Sequence, residues 1–339
     1  MPMKTKIAFF SSMPYDEVSF NEMNKNFGFN IRYYKEHLNE NNAILCKGAE
    51  VVCVFVNDEI NRNVIINLAQ NGTRLIALRC AGFNNIDLVA ASEFGIKVVR
   101  VPNYSPYAVA EYTVALMLSL NRKTHRATWR TREGNFSLHG LLGFDMYNKT
   151  VGIIGTGKIA KKLINILNGF GMKILAYDLY PDYEFGNMNK VQYTTLDTLY
   201  KESDIISLHC PLTDETKYII DKDAISKMKT GVMIINTGRG QLINTNALID
   251  GLKTKKIGSA GLDVYEEESQ YFYEDISDKI IDDDTLARLL SFNNVIVSSH
   301  QAFFTKEALE NIAETTLSNI KSFYSNEVLT NEVKKSNQT

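Results

Sequence analysis

Residues 151–160 read VGIIGTGKIA, and this stretch restricts the fold more tightly than any other in the chain. A run of apolar residues ends at Gly155, turns through Gly157, and enters a helical pattern at Lys158. Gly155, Gly157 and Ala160 fit the spacing G-x-G-x-x-G/A between a strand and a helix. The first glycine allows the tight turn and the second lets a pyrophosphate approach the backbone. The third small residue lets helix and strand pack closely. The helix start then offers backbone N–H groups and partial positive charge to phosphates. The next apolar run, KILAYD, ends in Asp178, about twenty residues on, where a carboxylate accepts hydrogen bonds from ribose hydroxyls. A negative charge there repels a 2′-phosphate, and Leu179, Tyr180 and Pro181 bring no cation to attract one. The spacing predicts NAD as the cofactor in preference to NADP.

The motif stands near the middle of the chain, and short apolar runs alternate with helical patterns on both sides of it. KIAFF, VVCVFV, LIALRC and KVVRV come before, and KILAYD, IISLHC, GVMIINT, GSAGLDV and NVIVSS come after. Strands that are apolar on both faces and separated by helices indicate parallel sheet covered on both sides. About five strands follow the glycine turn, enough for a nucleotide-binding sheet of their own. The residues before it then form a second unit, and a helix predicted over 306–326 packs back on that unit. The expected organisation is α/β, with two doubly wound parallel-sheet domains: a substrate domain over 1–102 and 302–339, and a nucleotide domain inserted over 103–301. Ser105-Pro106 signs the start of a helix, YAVAEYTVALMLSL, that is apolar around most of its circumference. With the following RKTHRATWRTREGNF it suggests a dimer interface across the nucleotide domains.

Composition excludes several classes of protein. The net charge of −2 advertises neither nucleic acid nor an anionic membrane. No uninterrupted apolar run approaches the roughly 18 residues that span a bilayer. The run IAFF near the start is short for a signal-peptide core and reads as a first buried strand. The four cysteines form no CxxC pair and no metal-ligand spacing. Free thiols and the absence of a targeting segment point to a reducing compartment, the cytoplasm, and no metal is expected.

Three signals converge at the carboxyl ends of the later strands, where ligands of open α/β sheets bind. IINTGRGQLI sets Arg239 in a glycine-flanked turn, where a guanidinium can clamp a carboxylate with two parallel hydrogen bonds. GLDVYEEES sets Asp263 at a strand end, with Glu268 five residues on. VIVSSHQAFF sets His300, one of five histidines, at the end of the last strand. Reducing a ketone takes a hydride, an acid for the oxygen and a cation for the substrate. Reduced NAD, His300 and Arg239 answer these needs. A carboxylate behind the imidazole, for which Glu268 is the candidate, would orient the ring and raise its pKa. The rest of the acidic stretch 265–284 reads as a solvated loop.

These residues, with RCAGFNNID, VPNYSPYAVAEYTVALML, SLHCPLTDETKYII, MKTGVMIINTGRGQLI, KIGSAGLDVYEEE and HQAFFT, resemble the D-isomer-specific 2-hydroxyacid dehydrogenase family nearly end to end. The resemblance implies a Rossmann-type nucleotide domain inserted in a flavodoxin-like substrate domain. It implies that Arg239 binds the substrate carboxylate and carbonyl, that His300 is the acid/base, and that Glu268 is its partner. Ala81 and Gly82 would donate backbone N–H groups to the carboxylate, and Tyr104 and Phe303 would line the substrate pocket. Lys158, Ile159, Cys210, Pro211, Thr216, Thr237, Gly238 and Asp263 would line the cofactor cleft, joined there by Arg239. The bulky aromatics suit a methyl-sized substituent, so the implied reaction interconverts pyruvate and D-lactate. The readings set against it are a dehydrogenase for a larger 2-oxo acid and an NAD-sensing, corepressor-like interaction protein. A homo-oligomer, dimer or tetramer, is implied, with a small-molecule substrate and no nucleic-acid or membrane partner. Two departures stand out: Ala160 closes the glycine fingerprint, and Ser298-Ser299 replaces the usual Thr-Pro before the histidine.

Overall fold

All four residues of Val51–Val54 and of Leu75–Leu78 are buried, as happens where helices cover both faces of a sheet. The computed structural model, which describes residues 6–266, 271–273 and 275–334, pairs these two strands inside a parallel sheet. That sheet holds β1 (Lys6–Phe9), β2 (Asn30–Tyr33), β3 (Val51–Val54), β4 (Leu75–Leu78) and β5 (Lys97–Val99). Their spatial order is β2-β1-β3-β4-β5, and every pairing is parallel. The chain divides into two units, residues 1–105 with 304–339, and residues 106–303. The five strands belong to the first. Its C-terminal helix, Lys306–Tyr324, starts where the Thr305 side chain accepts from Ala308 N at 3.2 Å. Ala308, Ile312, Ala313, Leu317 and Ile320 fall on one face of it, at i, i+4, i+5, i+9 and i+12, and are buried. The helix packs on the helix Pro14–Asn24 and on β4.

The second unit carries a parallel sheet of seven strands: β6 (Thr150–Ile154), β7 (Lys173–Tyr177), β8 (Val191–Tyr193), β9 (Ile205–Leu208), β10 (Val232–Asn236), β11 (Ile257–Leu262) and β12 (Val295–Val297). The sheet thus has six strands after the glycine turn, where the sequence indicated about five. The additional β8 is VQY, a half-exposed edge strand with no apolar run to announce it. The spatial order is β12-β11-β10-β9-β6-β7-β8. The chain moves outward from β6 to β8, then returns to β9 on the other side of β6. That reversal opens a crevice outside the carboxyl ends of β6 and β9, where nucleotides bind in such sheets. The helix Lys158–Gly169 buries Ala160, Leu163, Ile164 and Leu167. The apolar helix, Pro106–Arg122, packs on it and against β10 and β11, so its breadth of apolar surface serves the core of this unit. Among the described residues no helix is long and apolar enough to cross a membrane.

Candidate active site

The strand order arranges the candidate residues before any side chain is considered. Gly155 follows β6, Asp178 follows β7, His209 follows β9, Thr237 follows β10 and Asp263 follows β11. His300 stands three residues beyond β12. Along the carboxyl edge they therefore succeed one another as His300, Asp263, Thr237–Arg239, Cys210, Gly155–Gly157 and Asp178. From β7 to β10 is three strand spacings, roughly 14 Å, a span suited to a ligand with two ends.

Gly155 has φ +89°, and a Cβ there would stand 2.5 Å from the backbone N of Cys210. The turn thus needs glycine twice over, for its left-handed backbone and for the close approach of the chain leaving β9. At Gly157 the reason differs. A Cβ there would meet nothing within 4 Å, so the backbone at the helix start faces open space. Gly157 is also the N-cap and makes no side-chain capping bond. Asp178 closes the other end. Its Oδ2 accepts from the amide (2.6 Å) and hydroxyl (2.8 Å) of Thr156, and its Oδ1 accepts from Tyr180 N at 2.9 Å. Partial burial pushes this carboxyl up, but the hydrogen bonds from Tyr180, Thr156 and Leu179 outweigh it and hold it below the usual range. The group is therefore an anion at neutral pH, with lone pairs on Oδ1 beyond those used. The open glycine turn, the helix start and the anionic Asp178 fit an NAD molecule. The Asp178→Ala variant is expected to raise the KM for NADH roughly tenfold or more and to narrow the preference over NADPH, checked by initial rates with both. An unchanged ratio would remove Asp178 from cofactor selection.

The turn after β10 is pinned by Asn236, which is fully buried. Its Nδ2 donates to Arg239 O at 2.9 Å, its Oδ1 accepts from Gly238 N at 3.0 Å, and its own carbonyl accepts from Asp263 N at 2.9 Å. Thr237 Oγ1 lies 3.0 Å from Thr113 Oγ1 on the buried helix. Arg239 Nη1 donates to Gly238 O at 2.8 Å, which fixes one arm of the guanidinium. Among the described residues no carboxylate pairs with that guanidinium.

His300 has φ +48°, a left-handed backbone that costs a non-glycine residue about 1–2 kcal/mol and persists only when its surroundings impose it. Asp263 imposes it. The His300 amide donates to Asp263 O at 2.7 Å. The Asp263 carboxylate is fully buried, and its Oδ1 accepts from Ser298 Oγ at 2.7 Å and Gln301 N at 2.9 Å. Its Oδ2 accepts from Ala302 N at 2.9 Å. With no accessible surface, the Asp263 carboxylate is given over to these internal bonds. It braces the segment that carries His300. Another histidine at this edge, His209, has Nε2 against Ser207 Oγ at 2.8 Å, and burial pulls it down to about 4. His209 thus stays neutral at physiological pH and holds no proton to give.

Ser298 explains one departure noted in the sequence, since its hydroxyl is one of the Asp263 bonds. Of the glutamates in YEEES, Glu266 accepts from the amide (2.7 Å) and hydroxyl (2.5 Å) of Thr245 and from Tyr218 OH at 2.8 Å, all within the protein. Glu268 lies outside the described residues. Thr216 Oγ1 donates to Pro211 O at 2.7 Å and accepts from Thr213 N at 2.8 Å, closing the turn after Cys210-Pro211. Burial pushes the Cys210 thiol up to about 11, so it is an inert wall of the glycine turn. Lys158 and Ile159 open the helix Lys158–Gly169, and Phe303 is buried.

In the first unit, Ala81 and Gly82 follow β4. Arg100 Nη1 donates to Ala81 O at 2.8 Å, and Cys80 Sγ lies 3.3 Å from Gly82 O. In a trans peptide the N–H points opposite to the carbonyl, so fixing Ala81 O also fixes the direction of the Gly82 N–H. Beneath this loop Arg79 is buried between the rings of Phe9 and Phe55, 4.5 and 4.7 Å from their centroids, and donates to Ser11 O at 2.6 Å. Tyr104 is half-buried, and its carbonyl accepts from Asn311 Nδ2 at 2.7 Å. Asn236 and Arg100 went unread as site residues because each acts through a backbone partner, and Ser298 because it acts through the Asp263 carboxylate; no sequence spacing signals either.

A dinucleotide turn sharing one sheet edge with a guanidinium and with an imidazole on a braced loop is the equipment of an NAD-linked dehydrogenase. The family model described as the NAD binding domain of D-isomer specific 2-hydroxyacid dehydrogenases matches residues 114–302. A 2-hydroxyacid dehydrogenase homolog of Haemophilus influenzae is 52% identical over 97% of this chain and 99% of its own. The D-lactate dehydrogenase of Escherichia coli is 50% identical over the same shares. Among solved structures, the pyruvate reductase of Chlamydomonas reinhardtii superposes with a TM-score of 0.92 at 42% identity, covering 97% of this chain and 98% of that one. The chain belongs to the D-isomer specific 2-hydroxyacid dehydrogenases and binds NAD, as its motifs implied.

Proposed function

We propose that the protein interconverts pyruvate and D-lactate with NAD. The observation that carries this reading is the 50% identity with the E. coli D-lactate dehydrogenase, which runs essentially from end to end of both chains. The arrangement on the carboxyl edge supports it. When bound, the reduced nicotinamide supplies the hydride for the carbonyl carbon of the 2-oxo acid. The Arg239 guanidinium holds the substrate carboxylate with two parallel hydrogen bonds, and the Gly82 N–H, aimed by Arg100, adds a further donor with Ala81. His300 holds the proton for the carbonyl oxygen on its imidazole and takes it back in the reverse direction. Glu268 is proposed as the carboxylate that orients that ring, and Tyr104 and Phe303 as the aromatics that limit the substituent to a methyl group.

The test is a panel of 2-oxo acids with the pure protein and NADH, with chiral analysis of the product. D-Lactate from pyruvate as the fastest reaction supports the reading. Faster oxidation with a larger 2-oxo acid, or L-lactate as product, overturns it. In the same assay Arg239→Lys is expected to raise the KM for pyruvate by roughly 10- to 100-fold, because an ammonium cannot make the bidentate clamp. A rise in the KM for NADH instead would move Arg239 to the cofactor.

Assembly and location form part of the same reading. The short helix Thr124–Arg132 buries none of its residues, and Trp129, Phe136, Leu138 and Leu142 on and after it are 64% to 89% exposed. So much apolar surface in one segment supports a second copy of the chain as its cover, and light scattering in solution would test this. Cys46, Cys53 and Cys80 are buried free thiols, which supports a cytoplasmic location.

A further inference from the structure

Asp263 grips the histidine's loop by its amides but leaves the carbonyl of His300 to another group. Tyr273 takes it. Its phenol donates to His300 O at 3.2 Å, and its amide donates to the hydroxyl of Ser299 at 3.2 Å. The Tyr273 and His300 rings stand 5.9 Å apart, 32° from parallel. Tyr273 has φ +73°, so both residues hold left-handed backbones that side chains disfavour. Two such residues joined by hydrogen bonds each constrain the other.

The geometry is specific to one peptide plane. The carbonyl of His300 and the amide of Gln301 belong to the same planar group. The amide end is held by Asp263 Oδ1 at 2.9 Å and the carbonyl end by the Tyr273 phenol. With both ends tied, the plane that leaves His300 is held against rotation, and with it the direction of the Cα–Cβ bond that carries the imidazole. The second contact depends on Ser299. Ser299 stands where the family resemblance leads one to expect proline, and a proline has no hydroxyl to accept from the Tyr273 amide.

We infer that Tyr273 is a positioning residue for His300 and, with Ser299, forms a two-point latch on the loop that presents the imidazole. The inference rests on the reading of His300 as the acid/base. Tyr273 acts through the backbone and makes no contact with substrate or cofactor in this role. Its effect falls on the step in which the proton moves, since a misplacement near 1 Å can cost on the order of 100-fold in rate.

Four variants of the full chain test this: Tyr273→Phe, Ser299→Ala, the two combined, and His300→Gln as reference. Tyr273→Phe keeps the ring and loses only the donor. It is expected to lower kcat by roughly 5- to 20-fold while both KM values stay within about twofold. The isotope effect on kcat with NADH deuterated at C4 should rise, because chemistry becomes more rate-limiting. Ser299→Ala should move the same quantities less. The double variant should lose less than the product of the single losses, as expected of parts of one device. Unchanged kcat and isotope effect in Tyr273→Phe overturn the latch. So does a fall in thermal midpoint with kcat per folded molecule intact, which would make Tyr273 merely structural. If His300→Gln keeps full activity, the assignment of the acid/base fails and takes the latch with it. If His300→Gln is inactive and Tyr273→Phe is unimpaired, the latch alone fails.

Discussion

Replacing His300 by glutamine is expected to lower kcat for pyruvate reduction by about 10²- to 10⁴-fold while NADH binds nearly as before. Glutamine preserves the backbone bonds that shape the loop, from the His300 amide to Asp263 O and from Tyr273 to the carbonyl. What it removes is the imidazole proposed to carry the proton. No other histidine at this edge replaces it, since burial holds His209 down at about 4. Fluorescence titration with NADH and steady-state rates separate the two effects. Parallel loss of NADH affinity and turnover would place His300 in cofactor binding and remove it from proton transfer.

The second large effect is on stability. Asp263→Ala is expected to destabilise the fold by about 3–5 kcal/mol, because a buried charged acceptor disappears and its donors are stranded. Those donors are the Ser298 hydroxyl and the Gln301 and Ala302 amides, all tied to one fully buried carboxylate. The same change frees the loop of His300 from its strained conformation, so kcat should fall in the molecules that remain folded. Urea unfolding followed by circular dichroism measures the first effect and saturating rates the second. A variant that unfolds at the wild-type midpoint with wild-type kcat would show that Asp263 neither braces the loop nor contributes to stability. Asp263→Asn offers the finer comparison: it keeps the size, but its amide group presents a donor where the backbone already presents donors.

Much of the candidate site was legible because its residues sit at junctions. Gly155, Asp178, Arg239 and His300 each come directly after an apolar run or within a few residues of one. In a parallel sheet all such junctions fall on one edge. The seven-strand order then turns a list of motifs into a spatial sequence along that edge. Asp263 was visible for the same reason, but its hold on the loop of His300 was not. A strand-end carboxylate looks the same in sequence whether it faces a ligand or turns inward to accept from Gln301 and Ala302. Asn236 and Tyr273 were not visible as site residues, since they act on carbonyls and amides that every residue possesses. The edge strand β8 escaped for a different reason: its half-exposed VQY has no apolar signature.

The sequence by itself determined that this chain builds parallel sheets, turns on glycine to face a dinucleotide, and carries a guanidinium and an imidazole beyond later strands. Those are properties of residue type and local spacing, fixed by sterics and by the period of apolar residues. Only the tertiary structure decided which carboxylate braces which loop and why His300 holds a left-handed backbone. It also decided that the Gly155 turn must be glycine because the chain from β9 passes 2.5 Å from where a Cβ would be. Such contacts join residues far apart in the chain, and their strength comes from burial, which spacing along a sequence does not encode.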